Sequence, residues 1–136
     1  MVGDEIKIVI LDTETTGFDS SAEKIIELGL VSVLFSPSLM KITMISDVAS
    51  MYEYPGKPIP EVITGITDDM VAGRSLDEDR VAEFLWDDPL VIAHHAGFDR
   101  PFFEKRFPGY SNLRWACSIK GVDCAQGTST KATGRP

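Results

Sequence analysis

Residues 6–11, Ile6-Lys7-Ile8-Val9-Ile10-Leu11, form a nearly unbroken β-branched and apolar run. This is the pattern of a strand buried on both faces, which occurs where helices and neighbouring strands enclose a sheet. Immediately after it the chain turns acidic, at Asp12 and Glu14. A rigid, enclosed strand that delivers carboxylates at its end constrains both the fold of the chain and the chemistry it can perform.

The remaining elements are set by periodicity. Residues 25–35 are a second β-rich apolar run, ended by Ser36-Pro37-Ser38. Met40, Ile42 and Met44 alternate with Lys41 and Thr43, so a third, half-exposed strand starts there and runs toward Tyr54, pairing with the second as an antiparallel hairpin. Pro55, Pro58 and Pro60 break pairing, and a short helix is expected over residues 61–65. Ser75 and Glu78 have capping-box spacing, and Leu76, Val81, Phe84 and Leu85 supply the stripe of a helix reaching Asp87. Residues 90–93 read as a short buried strand. Phe98, Phe102, Phe103 and Phe107 have helical spacing, stopped by Pro108-Gly109, and residues 115–119 suit a last strand. Beyond Cys124 no aliphatic or aromatic residue is larger than alanine, so residues 1–123 are read as the domain and 124–136 as a disordered tail. The order predicts an α/β fold with a sheet of mixed direction.

The chain has 136 residues, the size of one domain, and a net charge of −8, which excludes a protein that grips nucleic acid through a broad basic surface. Two cysteines are too few for a disulfide scaffold and fit a reducing compartment. No apolar run suits a signal peptide or a membrane span, so the expected location is cytoplasmic.

Two segments carry chemistry. The first is Asp12-Thr13-Glu14-Thr15-Thr16-Gly17, where the first strand ends. Side chains at i and i+2 of a strand point the same way, so Asp12 and Glu14 share a face. Two such carboxylates repel unless a cation joins them, and hard oxygen ligands suit Mg²⁺ or Mn²⁺. A polar strand end entering a turn is the simpler alternative, since Asp, Thr and Gly are ordinary turn residues. A calcium loop also fits in part, because Asp12, Glu14, Thr16, Gly17 and Glu23 fall at positions 1, 3, 5, 6 and 12 of that pattern. Asp19 at its apolar position and a strand in place of the entering helix exclude it. The second segment is Ala93-His94-His95-Ala96-Gly97-Phe98-Asp99, a strand, a small-residue turn and a carboxylate in the first turn of a helix, where the dipole favours its ionised form. Taken alone, Asp99 suits a helix N-cap, and His94 and His95 suit hydrogen-bonded packing.

Together the two segments resemble the first two motifs of the DEDD superfamily of 3′→5′ exonucleases, and in particular the bacterial relatives of the replicative polymerase's proofreading subunit. The first motif is matched in full; the second has His95 where the family usually has asparagine. Ile25-Ile26-Glu27-Leu28-Gly29 and Ile63-Thr64-Gly65-Ile66-Thr67-Asp68-Asp69-Met70-Val71 also look like family segments, so the resemblance spans about Ile6 to Asp123. It implies a ribonuclease-H-like fold and release of nucleoside 5′-monophosphates from nucleic-acid 3′ ends by two-metal hydrolysis with Mg²⁺ or Mn²⁺. By likeness, Asp12 bridges both metals, Glu14 binds the nucleophile's metal, and Asp99 helps hold the second. Thr13, Thr15, Thr16 and Gly17 would meet the terminal nucleotide, with His95 nearby and Phe18 either stacking beside its base or packing in the core.

The family's third motif, a histidine followed five residues later by an aspartate, has no counterpart. The histidines are His94 and His95, and the acid after Glu104 is Asp123. Two functional expectations result. One is a 3′→5′ exonuclease domain, C-terminally shortened and impaired as this chain. The other is a non-catalytic module that binds nucleic acid or a polymerase. Expected partners are single-stranded DNA or RNA 3′ ends and a DNA polymerase subunit. Apolar sheet surface left bare around Ile8, Ile10 and Leu28 would favour a homodimer.

Overall fold

The computed structural model describes residues 3–60 and 64–118. Residues 61–63 of the expected short helix, Ile119, Asp123 and the expected tail from Cys124 lie outside the described residues. Five strands form one sheet: β1 (Ile6–Thr15), β2 (Ile25–Ser36), β3 (Lys41–Tyr52), β4 (Leu90–Ala93) and β5 (Arg114–Cys117). Among the described residues the helices are α1 (Asp68–Val71), α2 (Glu78–Leu85) and α3 (Ala96–Arg106), followed by a 3₁₀ turn at Pro108–Tyr110. None of these helices is long and apolar enough to cross a membrane.

The strand order is β3-β2-β1-β4-β5. β1, β2 and β3 form the antiparallel meander that the alternation of residues 40–44 predicts, and β4 and β5 are added parallel to β1. The fold is therefore α/β with a mixed sheet. β1 sits at its centre, between β2 and β4.

The core lies on the helix side. Val9 and Leu11 of β1, Leu28 and Leu30 of β2 and Val91 of β4 pack there against Val81, Phe84, Phe102 and Phe103. Each of these nine side chains is at most 2% exposed, so each contributes roughly 1.5–3 kcal/mol of burial. The opposite face differs. Residues directly opposed in an antiparallel ladder share a face. Ile10 opposes Val31, which opposes Val48, and Ile10 is 39% and Val48 62% exposed. Thus β1 is fully covered on one face only, and not on both as its composition suggests. The expected bare surface also changes membership. Ile10 belongs to it, whereas Leu28 is fully buried on the helix side and Ile8 is 8% exposed between its neighbours.

One cap differs from expectation. Asp77, not Ser75, caps α2, accepting the Arg80 N–H at 3.1 Å. The Ser75 hydroxyl is instead engaged by Glu53 at 3.2 Å. Both are good capping residues, and a tertiary partner decides between them.

Candidate functional site

β1 extends past its apolar run, and the extension carries the acidic residues. Along it Thr13 and Thr15 continue the core-facing row and are 5% and 4% exposed, while Asp12 and Glu14 lie on the other face, exposed and half-buried respectively. The period of two thus places the two carboxylates together, as the spacing predicts. A third joins them. Glu27 of β2 stands directly opposite Glu14 in the β1–β2 ladder, on the same face, and accepts the Ser50 hydroxyl at 3.0 Å. In the sequence Glu27 stands out only as part of an apolar segment, because its neighbour is set by hairpin register.

β4 runs parallel to β1 with Ile92 beside Ile10, so the turn after β4 emerges next to the end of β1. His95 caps α3, its Nδ1 accepting the Phe98 N–H at 3.0 Å. His94 Nδ1 lies 2.8 Å from Ser118 Oγ. Asp99 is therefore not the N-cap. It sits in the first turn of α3, 4% exposed, and its Oδ1 accepts the Thr13 hydroxyl at 2.6 Å. This bond joins the two motifs across 86 residues of sequence.

Electrostatically the group is unbalanced. Burial raises the Glu14 carboxyl above the ordinary range, and the charges of Asp12, Glu27 and Asp99 raise it further. Burial also raises Asp99; the Thr13 hydrogen bond opposes this, Asp12 adds to it, and His95 works against it. Among the described residues the ion pairs involve other carboxylates, namely Glu23, Asp47, Glu53, Glu78, Glu83 and Glu104. The donors are hard oxygens, the chemistry that Mg²⁺ or Mn²⁺ prefers. They are not gathered tightly: among the described residues no three His, Cys, Asp or Glu side chains already enclose a metal position.

The rest of the first motif shapes the turn from within. Thr15 Oγ1 donates to the Gly17 carbonyl at 2.6 Å, and Thr16 Oγ1 to Glu23 Oε1 at 2.7 Å. Thr13, Thr15, Thr16 and Gly17 are all buried. Phe18 is 79% exposed, which rules out core packing for it, and its ring meets Phe98 edge-on with centroids 6.3 Å apart.

A sequence profile of the exonuclease family matches residues 9–116, a span that contains Asp12, Glu14 and Asp99. The PolC-type DNA polymerase III of Staphylococcus haemolyticus is 34% identical over 123 residues, covering 87% of this chain and 8% of that protein. The PolC-type DNA polymerase III of Thermotoga maritima is 31% identical over 115 residues, covering 79% of this chain and 8% of that protein. The chain thus spans 8% of the length of these curated relatives. Among solved structures, Escherichia coli Exonuclease I in complex with a dA16 oligonucleotide superposes with a TM-score of 0.63 at 12% identity, covering 84% of this chain and 28% of that one. Exonuclease I of Methylocaldum szegediense gives a TM-score of 0.55 at 24% identity, covering 71% and 22%. These likenesses establish the ribonuclease-H-like fold. Because the family profile runs from within β1 to within β5 and takes in both carboxylate motifs, the chain belongs to the exonuclease family and is by family a nuclease.

Proposed function

We propose that Asp12, Glu14 and Asp99 form the divalent-metal site of a 3′→5′ exonuclease that releases nucleoside 5′-monophosphates from single-stranded 3′ ends. The observation that carries this reading is the uncompensated charge at the end of β1. Glu14 is held above its ordinary pKa beside Asp12, Glu27 and Asp99, with no cation paired to any of them among the described residues. A divalent cation bound there supplies Lewis acidity for phosphodiester hydrolysis. Asp12 and Glu14 present open oxygens on one face, and Asp99 backs them, held in place by Thr13. Phe18 offers a ring on which a terminal base can stack, worth about 1–3 kcal/mol per base. The buried threonines and Gly17 set the turn over which that nucleotide would lie. The dA16 complex of Exonuclease I supports single-stranded DNA as the substrate, and the likeness to PolC supports a polymerase connection.

The chain itself is a slow catalyst on this reading. Both its histidines have structural work at Nδ1: His95 holds the α3 cap and His94 pairs with Ser118. Loss of a general base typically costs ~10²–10⁴ in rate. The same observation favours the second reading, a non-catalytic module that binds nucleic acid or a polymerase.

The test combines Mn²⁺ calorimetry with digestion of a labelled oligodeoxynucleotide. The parent should bind Mn²⁺ weakly, and Asp12→Ala and Glu14→Ala should abolish binding; unchanged binding in both variants overturns the metal assignment. Slow 3′ trimming lost in Asp12→Ala supports the enzyme. Oligonucleotide binding without any Asp12-dependent trimming supports the module. Cleavage from the 5′ end or within circular DNA contradicts the proposed polarity.

A further inference from the structure

Between Thr15 and Ile25 the chain makes a loop whose contacts converge on Glu23. Its Oε1 accepts the Thr16 hydroxyl at 2.7 Å and the Lys57 ammonium at 3.1 Å. The Thr16 hydroxyl in turn accepts the Lys24 N–H at 3.0 Å, and the Thr16 N–H reaches the Lys24 carbonyl at 2.9 Å. From the other side Lys105 of α3 donates to the carbonyls of Ser20 and Glu23, at 2.8 and 3.1 Å. The Glu23 side chain also fills the space beside Gly17: a Cβ on Gly17 would stand 2.8 Å from its Cγ and 2.9 Å from its Cδ. With its carboxylate held by Thr16 and Lys57, Glu23 has little freedom to withdraw. Those two partners also lower its pKa, Thr16 first and Lys57 second, so it is fully ionised at neutral pH.

We propose that Glu23 is a positioning residue for substrate: its carboxylate, fixed by Lys57, locks the Thr16-Gly17 turn and thereby holds Phe18 against Phe98, the residue before Asp99. The assignment rests on the function proposed above. It gives Glu23 a role different from a metal ligand, since its carboxylate is engaged by Thr16 and Lys57 and its side chain lies against Gly17. Two consequences distinguish it from a merely structural contact. Glutamine keeps an oxygen acceptor for Thr16, so Glu23→Gln should retain most of the effect. A methyl group at Gly17 should do harm only while the Glu23 side chain occupies the space it needs, so the two positions are non-additive.

The experiment measures anisotropy of a 5′-labelled single-stranded oligodeoxynucleotide carrying a 3′-terminal phosphorothioate linkage, with Mn²⁺, alongside melting temperature. Glu23→Ala should weaken binding about tenfold and Glu23→Gln less than about threefold, with melting temperatures that do not track the loss. Gly17→Ala should weaken binding in the parent background, whereas Gly17→Ala with Glu23→Ala should bind no worse than Glu23→Ala alone. Parental affinity in Glu23→Ala, or independent multiplication of the two effects, overturns the assignment and leaves the functional reading intact. Failure of the parent itself to bind the oligonucleotide overturns that reading and this assignment with it.

Discussion

Glu14 and Glu53 are both half-buried glutamates at strand ends, and their environments drive them in opposite directions. Burial raises both. At Glu53 it is outweighed by two hydrogen bonds from Arg106, at 2.8 and 2.9 Å, and by the Leu76 N–H at 3.0 Å, so that carboxyl lies below the ordinary range. The same clasp joins the end of β3, the approach to α2 and the last turn of α3. At Glu14 the neighbours are Asp12, Glu27 and Asp99, and the carboxyl lies above the ordinary range. One glutamate is satisfied by the chain. The other is left with negative neighbours, an arrangement that costs stability in the protein alone and favours capture of a cation.

Breaking the satisfied member should have the largest effect. Arg106→Met strips from the clasp both its charge and the guanidinium that lies 4.7 Å over the Phe107 ring, and leaves Glu53 partly buried with no cation beside it. The expected loss is about 2–4 kcal/mol in urea unfolding at pH 7. Because the folded-state value of Glu53 is depressed, its contribution is present above the unfolded glutamate pKa of about 4.3 and disappears as pH falls through the lower folded value. The variant should therefore show a flatter acid branch. Parental stability in Arg106→Met would show the clasp to be ornamental.

An intermediate effect is expected where a neutral donor is the main support of a buried carboxylate. Thr13→Val removes the hydroxyl bonded to Asp99 and should cost about 1–3 kcal/mol, with Asp99 pushed further upward. Chemical denaturation at acidic and neutral pH checks this: the Thr13 hydrogen bond favours the ionised form of Asp99, so the deficit should grow as pH rises. A deficit independent of pH would mean that the hydroxyl matters only for packing.

The smallest effect sharpens the contrast by reversing its sign. Glu14→Gln removes the stressed charge and, without metal, should stabilise the fold by less than about 1 kcal/mol, since solvent screens a half-exposed group. A carboxyl whose folded pKa is raised loses stability as pH climbs from the unfolded value through the folded one, so the gain should appear across that interval and persist above it. In Mn²⁺ the order should invert, with the parent gaining more than the variant. Equal melting temperatures in chelator at neutral pH would contradict the picture of an electrostatically stressed strand end.

Much of this was legible in the order of residues because it depends on local periodicity. The apolar run at 6–11, the alternation at 40–44, the helical phenylalanines and the i, i+2 spacing of Asp12 and Glu14 each specify an element or a face from a few neighbouring positions. The family likeness of the two acidic segments required nothing more. Other features depend on which distant groups meet. Ser75 lost the α2 cap to Asp77 because Glu53 engages its hydroxyl. Leu28 went to the core and Ile10 to the bare face because pairing register and the side taken by the helices assign faces, and composition does not. Glu27 joined the carboxylates only through the hairpin that sets it opposite Glu14.

The mixed α/β order, the carboxylate pair at the end of β1 and the family follow from spacing along the chain alone. Packing was needed to hold Asp99 by Thr13 instead of at the helix cap, to give that cap to His95, and to seat Glu23 beneath Gly17. These are contacts between groups far apart in sequence or around a loop. Each is chosen by competition for donors, acceptors and space that exists only once the strands and helices are packed.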